Sequence, residues 1–581
     1  MDLSEQLYQK TVDQLRPLAT MVGPHSVTRK DDLVRHIYKA LLNPASLKEL
    51  WSRLDPLSQK AIGSAYHNGG EFHADGFVAQ YGSLPARPKR NAWSWSTEPI
   101  LLDLFFFEGH LATDLMPLLA DLVPPPEKFQ VIGLKNQPTP LGPDGRPLEL
   151  LRADTEQSGL HDLIVYLRLV DQGQIKISST TSRATLGGIK KILQSLMDGD
   201  LFPLEENFRA TDTIRPFGLD VFAQDAKLAS KERGGNGLRL SKLGQEFYQT
   251  QAPELLLGAF ETWSESGSFD ELSRIAALKG LRAKGTRLTA PGSRREQVIE
   301  ALSWCPTGVW IDLEDFYRAV KIWHFDFEVE TTYYSNLYVG YQDYGGLHGG
   351  SYWRLTKALY INAILMEYLA AIGAVDLLYI EPEVADFETD LDYYDDEFLS
   401  AYDGLKYFRI NNLGAYLLGQ AGEYQPARPE LPPLFSLSAD HTFTLTAAAN
   451  LTPNDQFFLE QLAVMQKGGR YHLSPQRLLT SLEEGANLAQ LTEFLNTRHA
   501  GPLLPSVIDW LAQIEQNAEA FKLSGQALLI KVQSVELAEL ALEDAVLRKY
   551  CEQIGPKALV VPTNREKQFR TRLKELGYIL G

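Results

Sequence analysis

Lys279, Arg282, Lys284, Arg287, Arg294 and Arg295 share one stretch, KGLRAKGTRLTAPGSRR, which contains no acid. Lys and Arg neutralise phosphates without demanding any base sequence, so the chemistry on offer is electrostatic contact with a nucleic-acid backbone. A solvated connection between domains would have the same composition. A second basic set, Arg565, Lys567, Arg570, Arg572 and Lys574, falls near the C-terminal end. Its spacings of three and four place several of these residues on one face of an expected helix.

Other clusters offer less. Tyr333, Tyr334, Tyr338, Tyr341, Tyr344, Tyr352 and Trp353 crowd a loop containing Gly345, Gly346, Gly349 and Gly350. Exposed rings stack on bases, but few Lys or Arg interleave here as a single-strand groove requires. A hairpin whose rings cover the core is the better expectation. Trp93 and Trp95, beside Arg87-Pro88-Lys89-Arg90, read as core tryptophans. His67, Glu71 and His73 put potential metal ligands within seven residues, but a zinc site wants three or four ligands that converge, so no metal is expected here. Glu381 to Glu397 carries nine carboxylates and no base. It lacks the glycine-punctuated spacing of an EF-hand and reads as a solvated loop.

No catalytic constellation emerges. The chain has no Gly-x-x-x-x-Gly-Lys-[Ser/Thr] string to cradle nucleotide phosphates. Asp396-Glu397-Phe398 lies in the acidic loop instead of at the end of an apolar strand. There is no Gly-x-Ser-x-Gly elbow, and neither Cys305 nor Cys551 has a local His signature. Asp312, Glu314 and Asp315 sit early in an expected helix, where acids favour the dipole. The expectation is a protein with no catalytic, cofactor-binding or metal site.

The elements that would position the basic stretch form a repeat. Leu238-Arg239-Leu240-Ser241-Lys242-Leu243-Gly244 aligns with Phe408-Arg409-Ile410-Asn411-Asn412-Leu413-Gly414. Each reads as an alternating strand, a small-residue turn and a helix start. Helices are expected upstream of each copy, Leu186 to Met197 and Trp353 to Ile372, the second capped by Gly373 and followed by a strand from Ala374 to Ile380. Helix, strand, loop and strand is the second half of a winged helix. A weaker third copy is suggested by a helix from Ser58 to His67 and a turn and strand through Gly69 to His73. Pro- and Gly-rich composition marks linkers. The expected organisation is an N-terminal helical, winged-helix-like region (1–121), a linker (122–150), a winged-helix-like module (151–278), a basic linker (279–295), a second such module with the acidic loop (296–420), a linker (421–433) and a C-terminal domain (434–581).

That last domain carries motif-level information. A strand pair lies around Asp440, with a helix from Asp455 to Met465 and a strand at Arg470 to Ser474. A helix with Leu478, Leu479 and Leu482 then ends at Gly485. Further helices carry Leu491 and Phe494-Leu495, then Val507, Ile508, Trp510 and Leu511 after Leu504-Pro505. Beyond these, Ala527–Val532, Ala558–Pro562 and Gly577–Leu580 read as strands, with helices at Leu537–Val546 and Glu566–Leu576. The order of the first part resembles the region N-terminal to the motor in XPB-type helicases and in bacterial helicase-associated proteins. The resemblance implies a non-catalytic, DNA-associated accessory protein that binds DNA weakly and positions a separately encoded helicase motor.

Composition sets the outer limits. The chain has 581 residues, 44% hydrophobic and 22% charged, which suits several folded domains. It starts MDLSEQLYQK, without the basic start of a signal peptide. No apolar run approaches a membrane span, and two cysteines make no disulfide framework. A cytoplasmic α+β protein is expected, multi-domain and mostly helical, with winged-helix-like modules and a C-terminal α/β helicase-associated domain. The net charge of −18 opposes approach to DNA, so any DNA contact must be local. The rival expectation is a protein-interaction scaffold that binds no DNA.

Overall fold

The structure, a computed structural model, describes all residues except 89–97, 143–144, 233, 332–334, 340–346, 348–351, 385–398, 427–432, 447–450, 452 and 521–525. Most of the acidic stretch, Trp93, Trp95, and Tyr333, Tyr334, Tyr341 and Tyr344 therefore lie outside the described residues. The fold is mixed α+β and mostly helical, with strand confined to small sheets. It divides into two compact units. One comprises residues 1–430 and 452–457, the other residues 431–451 and 458–581.

The first unit opens with helices α1 (Leu3–Gln9), α2 (Val12–Val22), α3 (Lys30–Leu41), α4 (Pro44–Ser52), α5 (Pro56–His67) and α6 (Ala74–Tyr81). A hairpin, β1 (Phe106–Phe107) and β2 (His110–Leu111), and a short helix α7 (Met116–Leu119) follow. Starts are set locally. Asp2 and Thr11 close capping boxes, and Asn43 and Asp55 cap helices that begin with proline. Leu15, Leu33, Ile37 and Leu47 meet in a core of their own.

The repeat then appears as a recurring order of elements. The first copy runs α8 (Glu156–Asp171), an extended segment at Lys176-Ile177, α9 (Leu186–Ser195), α10 (Arg215–Asp225), the hairpin β4 (Ala229–Lys231) and β5 (Leu238–Leu240), and α11 (Lys242–Thr250). After α12 (Pro253–Glu265), the second copy runs α13 (Pro291–Ser303), β6 (Ile311–Asp312), α14 (Leu313–Ile322), a long helix α15, the hairpin β7 (Val375–Tyr379) and β8 (Leu405–Ile410), and α16 (Asn412–Leu417). Helix α15 has two π-helical stretches, Trp353–Ala358 and Ile364–Leu369, on either side of an α-helical turn, Leu359–Ala363. The aligned segments coincide as strand, cap and helix. Ser241 caps Gly244 N and Asn411 caps Gly414 N, both at 3.0 Å. A side chain on Gly244 would overlap the Leu228 carbonyl, and one on Gly414 the Ala374 carbonyl. Each carbonyl immediately precedes the first strand of its hairpin.

The two copies are not separate bodies. β3 (Leu151–Ala153), at the entrance to the first copy, pairs with β7 of the second in the sheet order β3-β7-β8-β6. One core runs through both copies, joining Leu163, Phe222 and Trp263 to Tyr360, Leu365 and Phe408. All residues of α10 are buried except the half-buried Gln224, and every residue from Leu355 to Ile380 is buried. The stretch 279–295 is not a free linker. Its last residues form the first turn of α13, and Arg294 and Arg295 are interior.

In the second unit β9 (Thr442–Thr444) joins β10 (Ala463–Met465) and β11 (Arg470–Leu473) in the order β10-β11-β9. Helix α17 (Pro453–Leu462), of which residues 453–457 belong to the first unit, ends earlier than its apolar pattern suggests, because Ala463–Met465 pairs with β11. Helices α18 (Pro475–Glu483), α19 (Leu488–Arg498) and α20 (Pro505–Glu519) follow. The end of the chain is β12 (Ala527–Lys531), α21 (Val535–Glu543), β13 (Glu552–Gly555), β14 (Ala558–Pro562) and α22 (Glu566–Glu575), an antiparallel sheet in the order β12-β14-β13. The third strand is Glu552–Gly555, whereas Gly577–Leu580 forms no strand. A polar strand such as Glu552–Gly555 gives no alternation signal, whereas the apolar run at the C-terminal end does.

Candidate nucleic-acid interface

The basic stretch begins as a loop tied down at both ends. Lys279 exchanges backbone hydrogen bonds with Tyr338, 2.8 and 3.3 Å long. Gly280 next to it has φ +86°, and a side chain there would overlap the Asn336 carbonyl. Within the loop, Ala283 N donates to Gly280 O, Thr286 N to Ala283 O, and the Thr286 hydroxyl to Gly280 O. At the exit, Thr331 N donates to Arg287 O at 2.9 Å and Thr289 N to Val329 O at 3.0 Å. Lys279, Arg282, Lys284 and Arg287 are exposed. Among the described residues Arg282, Lys284 and Arg287 form no ion pair, and Lys279 Nζ donates only to Ala276 O. A pinned backbone carrying free cations loses little further entropy when it meets an anionic strand.

Arg294 and Arg295 do not belong to this surface. Arg295 is fully buried, and all three of its guanidinium nitrogens are engaged. Nε and Nη2 meet Glu271, Nη1 donates to Trp263 O and Ser266 O, and Nη2 donates to Phe269 O. Arg294 donates to Thr289 O at 2.7 Å and pairs with Asp270 at 2.5 Å. It therefore fixes the exit of the loop and cannot reach a phosphate. One clue to this is present in the chain. Two arginines in the first turn of a helix oppose its dipole, and a neighbouring acid pair relieves that. Asp270-Glu271 supplies it from 24 residues upstream. Burial pushes the Glu271 carboxyl up to about 7, with Arg295 opposing the shift.

The C-terminal set is likewise divided. Arg565, Lys567 and Lys574 are exposed. Arg570 is held by Glu566 at 2.6 Å and by the Leu580 carbonyl at 2.8 Å. Arg572 is shared between Asp544 at 2.7 Å and Glu575 at 2.8 Å, and its hydrogen bond holds the Asp544 carboxyl below the ordinary range. The last two are corrections to the expected five-residue patch, because carboxylates in the same small fold already satisfy them.

The remaining candidates have structural places. Trp353 is buried, with its indole N–H on Asp326 at 2.8 Å. His67 bonds the Pro124 carbonyl, and His73 lies 4.0 Å from Glu71. Among the described residues no group of three or more His, Cys, Asp or Glu is placed to hold a metal. Cys305 and Cys551 are both buried, and burial raises both thiols above their ordinary range. No helix among the described residues is long and apolar enough to cross a membrane. No family model matches the chain, and no curated protein matches it.

Proposed function

We propose that this is a non-catalytic, DNA-associated accessory protein that grips the phosphate backbone weakly through Lys279, Arg282, Lys284 and Arg287 and positions a separate motor. The observation that carries the reading is the pinned loop, which offers exposed cations without paired acids. Phosphate contacts of this kind position a protein without reading sequence. The buried third helices, α10 and α15, fit the same reading, because neither has a free face to lay in a major groove. The place beside a motor rests on the resemblance of residues 431–581 to the region N-terminal to XPB-type motors. The lack of a phosphate cradle in the sequence supports a non-catalytic role.

The test is anisotropy of a labelled duplex titrated with the full chain at low salt. Sequence-independent binding that Arg282→Glu, Lys284→Glu and Arg287→Glu together abolish supports the reading. Binding unchanged by that triple reversal, in a protein of unaltered circular dichroism, removes the loop from the interface. A second reading, a protein-interaction scaffold that binds no DNA, is favoured by the net charge of −18. It takes over if the wild type fails to bind duplex even at low salt.

A further inference from the structure

In the second unit the hairpin of β10 and β11 closes through Gln466-Lys467-Gly468-Gly469. Gln466 N donates to Arg470 O at 2.7 Å, and Gly468 and Gly469 turn the chain at φ +86° and +73°. The other end is tied down, with Leu473 N on His441 O at 3.0 Å and Ser474 N on Leu462 O at 2.9 Å. Val464 pairs with His472 and Met465 with Tyr471. Successive strand residues point to opposite faces, and paired residues share one. Met465 therefore extends a row from Phe443 through Tyr471, whose rings stack 5.3 Å apart. Along that row exposure rises from the buried Phe443 through the half-buried Tyr471 to Met465, which is 66% exposed. Val464, 49% exposed, lies on the opposite face with His472. Both flanks of the hairpin end thus present an apolar side chain to water.

The charge around these flanks has one sign. Residues 441–454 and 461–482 contain no acid, in a chain of net charge −18. All three strands of the sheet β10-β11-β9 fall within them. Lys467 and Arg470, at the turn, are exposed and form no ion pair among the described residues. Such a surface suits a polyanion. Phosphates alone leave the apolar flanks without a partner, whereas a base face supplies one. Apolar side chains, methionine among them, insert between bases and cover their faces. Inside an intact duplex every base face is already covered, and opening the stack costs free energy. Where two strands part, base faces are free without that cost. An apolar residue on one flank only would suit a flat contact, but apolar residues on both suit insertion between two partners.

We infer that this hairpin is a blade for the junction at which a DNA duplex opens into single strands. Val464 and Met465 cover base faces on its two sides, and Lys467 and Arg470 meet the flanking phosphates. The inference rests on the reading of the chain as DNA-associated. It adds the form of the DNA, through residues of the second unit that are separate from the basic loop.

The probe is a labelled fork, a duplex continuing into two unpaired arms, compared with a blunt duplex of the same sequence in anisotropy titrations of the full chain. 2-Aminopurine replaces the adenine of the last base pair before the arms. The wild type should bind the fork about tenfold more tightly than the duplex, a difference of about 1.4 kcal/mol. It should also brighten the 2-aminopurine as that base unstacks. Val464→Ser with Met465→Ser should abolish the preference and the brightening and leave duplex affinity unchanged. Both residues are exposed, so the fold should hold, which circular dichroism checks. Lys467→Glu with Arg470→Glu should weaken the fork more than the duplex. Equal affinity of the wild type for fork and duplex overturns the inference. So does a preference that survives the two serines, and so does binding to neither DNA. Sedimentation with phosphatidylserine vesicles, lost in the serine variant and accompanied by no fork preference, would assign the flanks to a lipid surface and overturn it too. The Arg282, Lys284 and Arg287 reversals should lower both affinities and keep their ratio. Failure of the loop therefore shows in the duplex titration, and failure of the hairpin in the ratio.

Discussion

Gly218 on α10 presses against the backbone of Glu367 on α15, so closely that a side chain on the glycine would overlap the Glu367 carbonyl oxygen. The third helices of the two repeat copies thus meet backbone to backbone. The Glu367 carboxylate is held at the same place by Arg274 at 2.8 Å and by the Tyr402 hydroxyl. Arg274 also donates to the Thr211 and Thr213 carbonyls, which ties the approach to α10 to α15. In a low-dielectric interior such a network is strong only while every member is satisfied.

The glycine contact predicts a steep response to a single methyl group. Gly218→Ala should lower stability by about 1–3 kcal/mol, the usual range for overpacking a tight interface. Gly258, on α12, has nothing within 4 Å of its Cβ position. Gly258→Ala should be neutral or stabilising by about 0.5–1 kcal/mol, because Ala is the better helix former. Urea titration of both variants compares them. An unaffected Gly218→Ala protein would contradict the packing.

Arg295 and Arg282 should separate stability from binding. Arg295→Ala leaves Glu271 buried without its partner and should cost about 3–5 kcal/mol. Arg282→Ala touches no partner, and its melting temperature should stay near that of the wild type. If the duplex binds, only the second change should weaken binding by the folded protein. A small melting shift for Arg295→Ala would argue against the buried pair.

The Glu271 carboxyl gives a pH dependence of defined sign. Its ordinary value is 4.5, and burial raises it to about 7 in the folded chain. Between those values the unfolded chain has released a proton that the folded chain still holds. Its contribution is therefore complete below 4.5 and is lost as pH rises through 7, by up to about 3 kcal/mol. Glu271→Gln should flatten that part of the profile in denaturant titrations across pH 4–8, even though the variant is less stable throughout. An unchanged slope would show that Glu271 is ionised throughout.

Salt tests the loop as a backbone contact. Counterion release from about four phosphates gives a log–log slope of about −3 to −4. The triple reversal should flatten the slope together with the affinity, and alike for unrelated duplex sequences. A slope of full size in the triple variant would place the contact elsewhere, with Arg565, Lys567 and Lys574 the next exposed cations.

Local signals in the chain were enough for most elements. The apolar spacing of Leu355, Leu359, Ile364 and Leu369, ended by Gly373, marks the long helix. The repeated strand, polar cap and glycine at Ser241 to Gly244 and Asn411 to Gly414 mark the two hairpin-to-helix corners. These depend on residues within a few positions of one another, and so does the absence of a phosphate-cradling string. The fate of charges could not be read this way. Arg282 and Arg295 have the same side chain in the same acid-free stretch. One stays in water because the loop is pinned outward by Tyr338 and Thr331. The other is buried because the fold brings Glu271 and three carbonyls to it. Likewise Gly218 shows no feature beside its neighbours that foretells α15. Burial and pairing are set by segments distant in sequence, since removing a charge from water is tolerable only where the whole fold has assembled its partners.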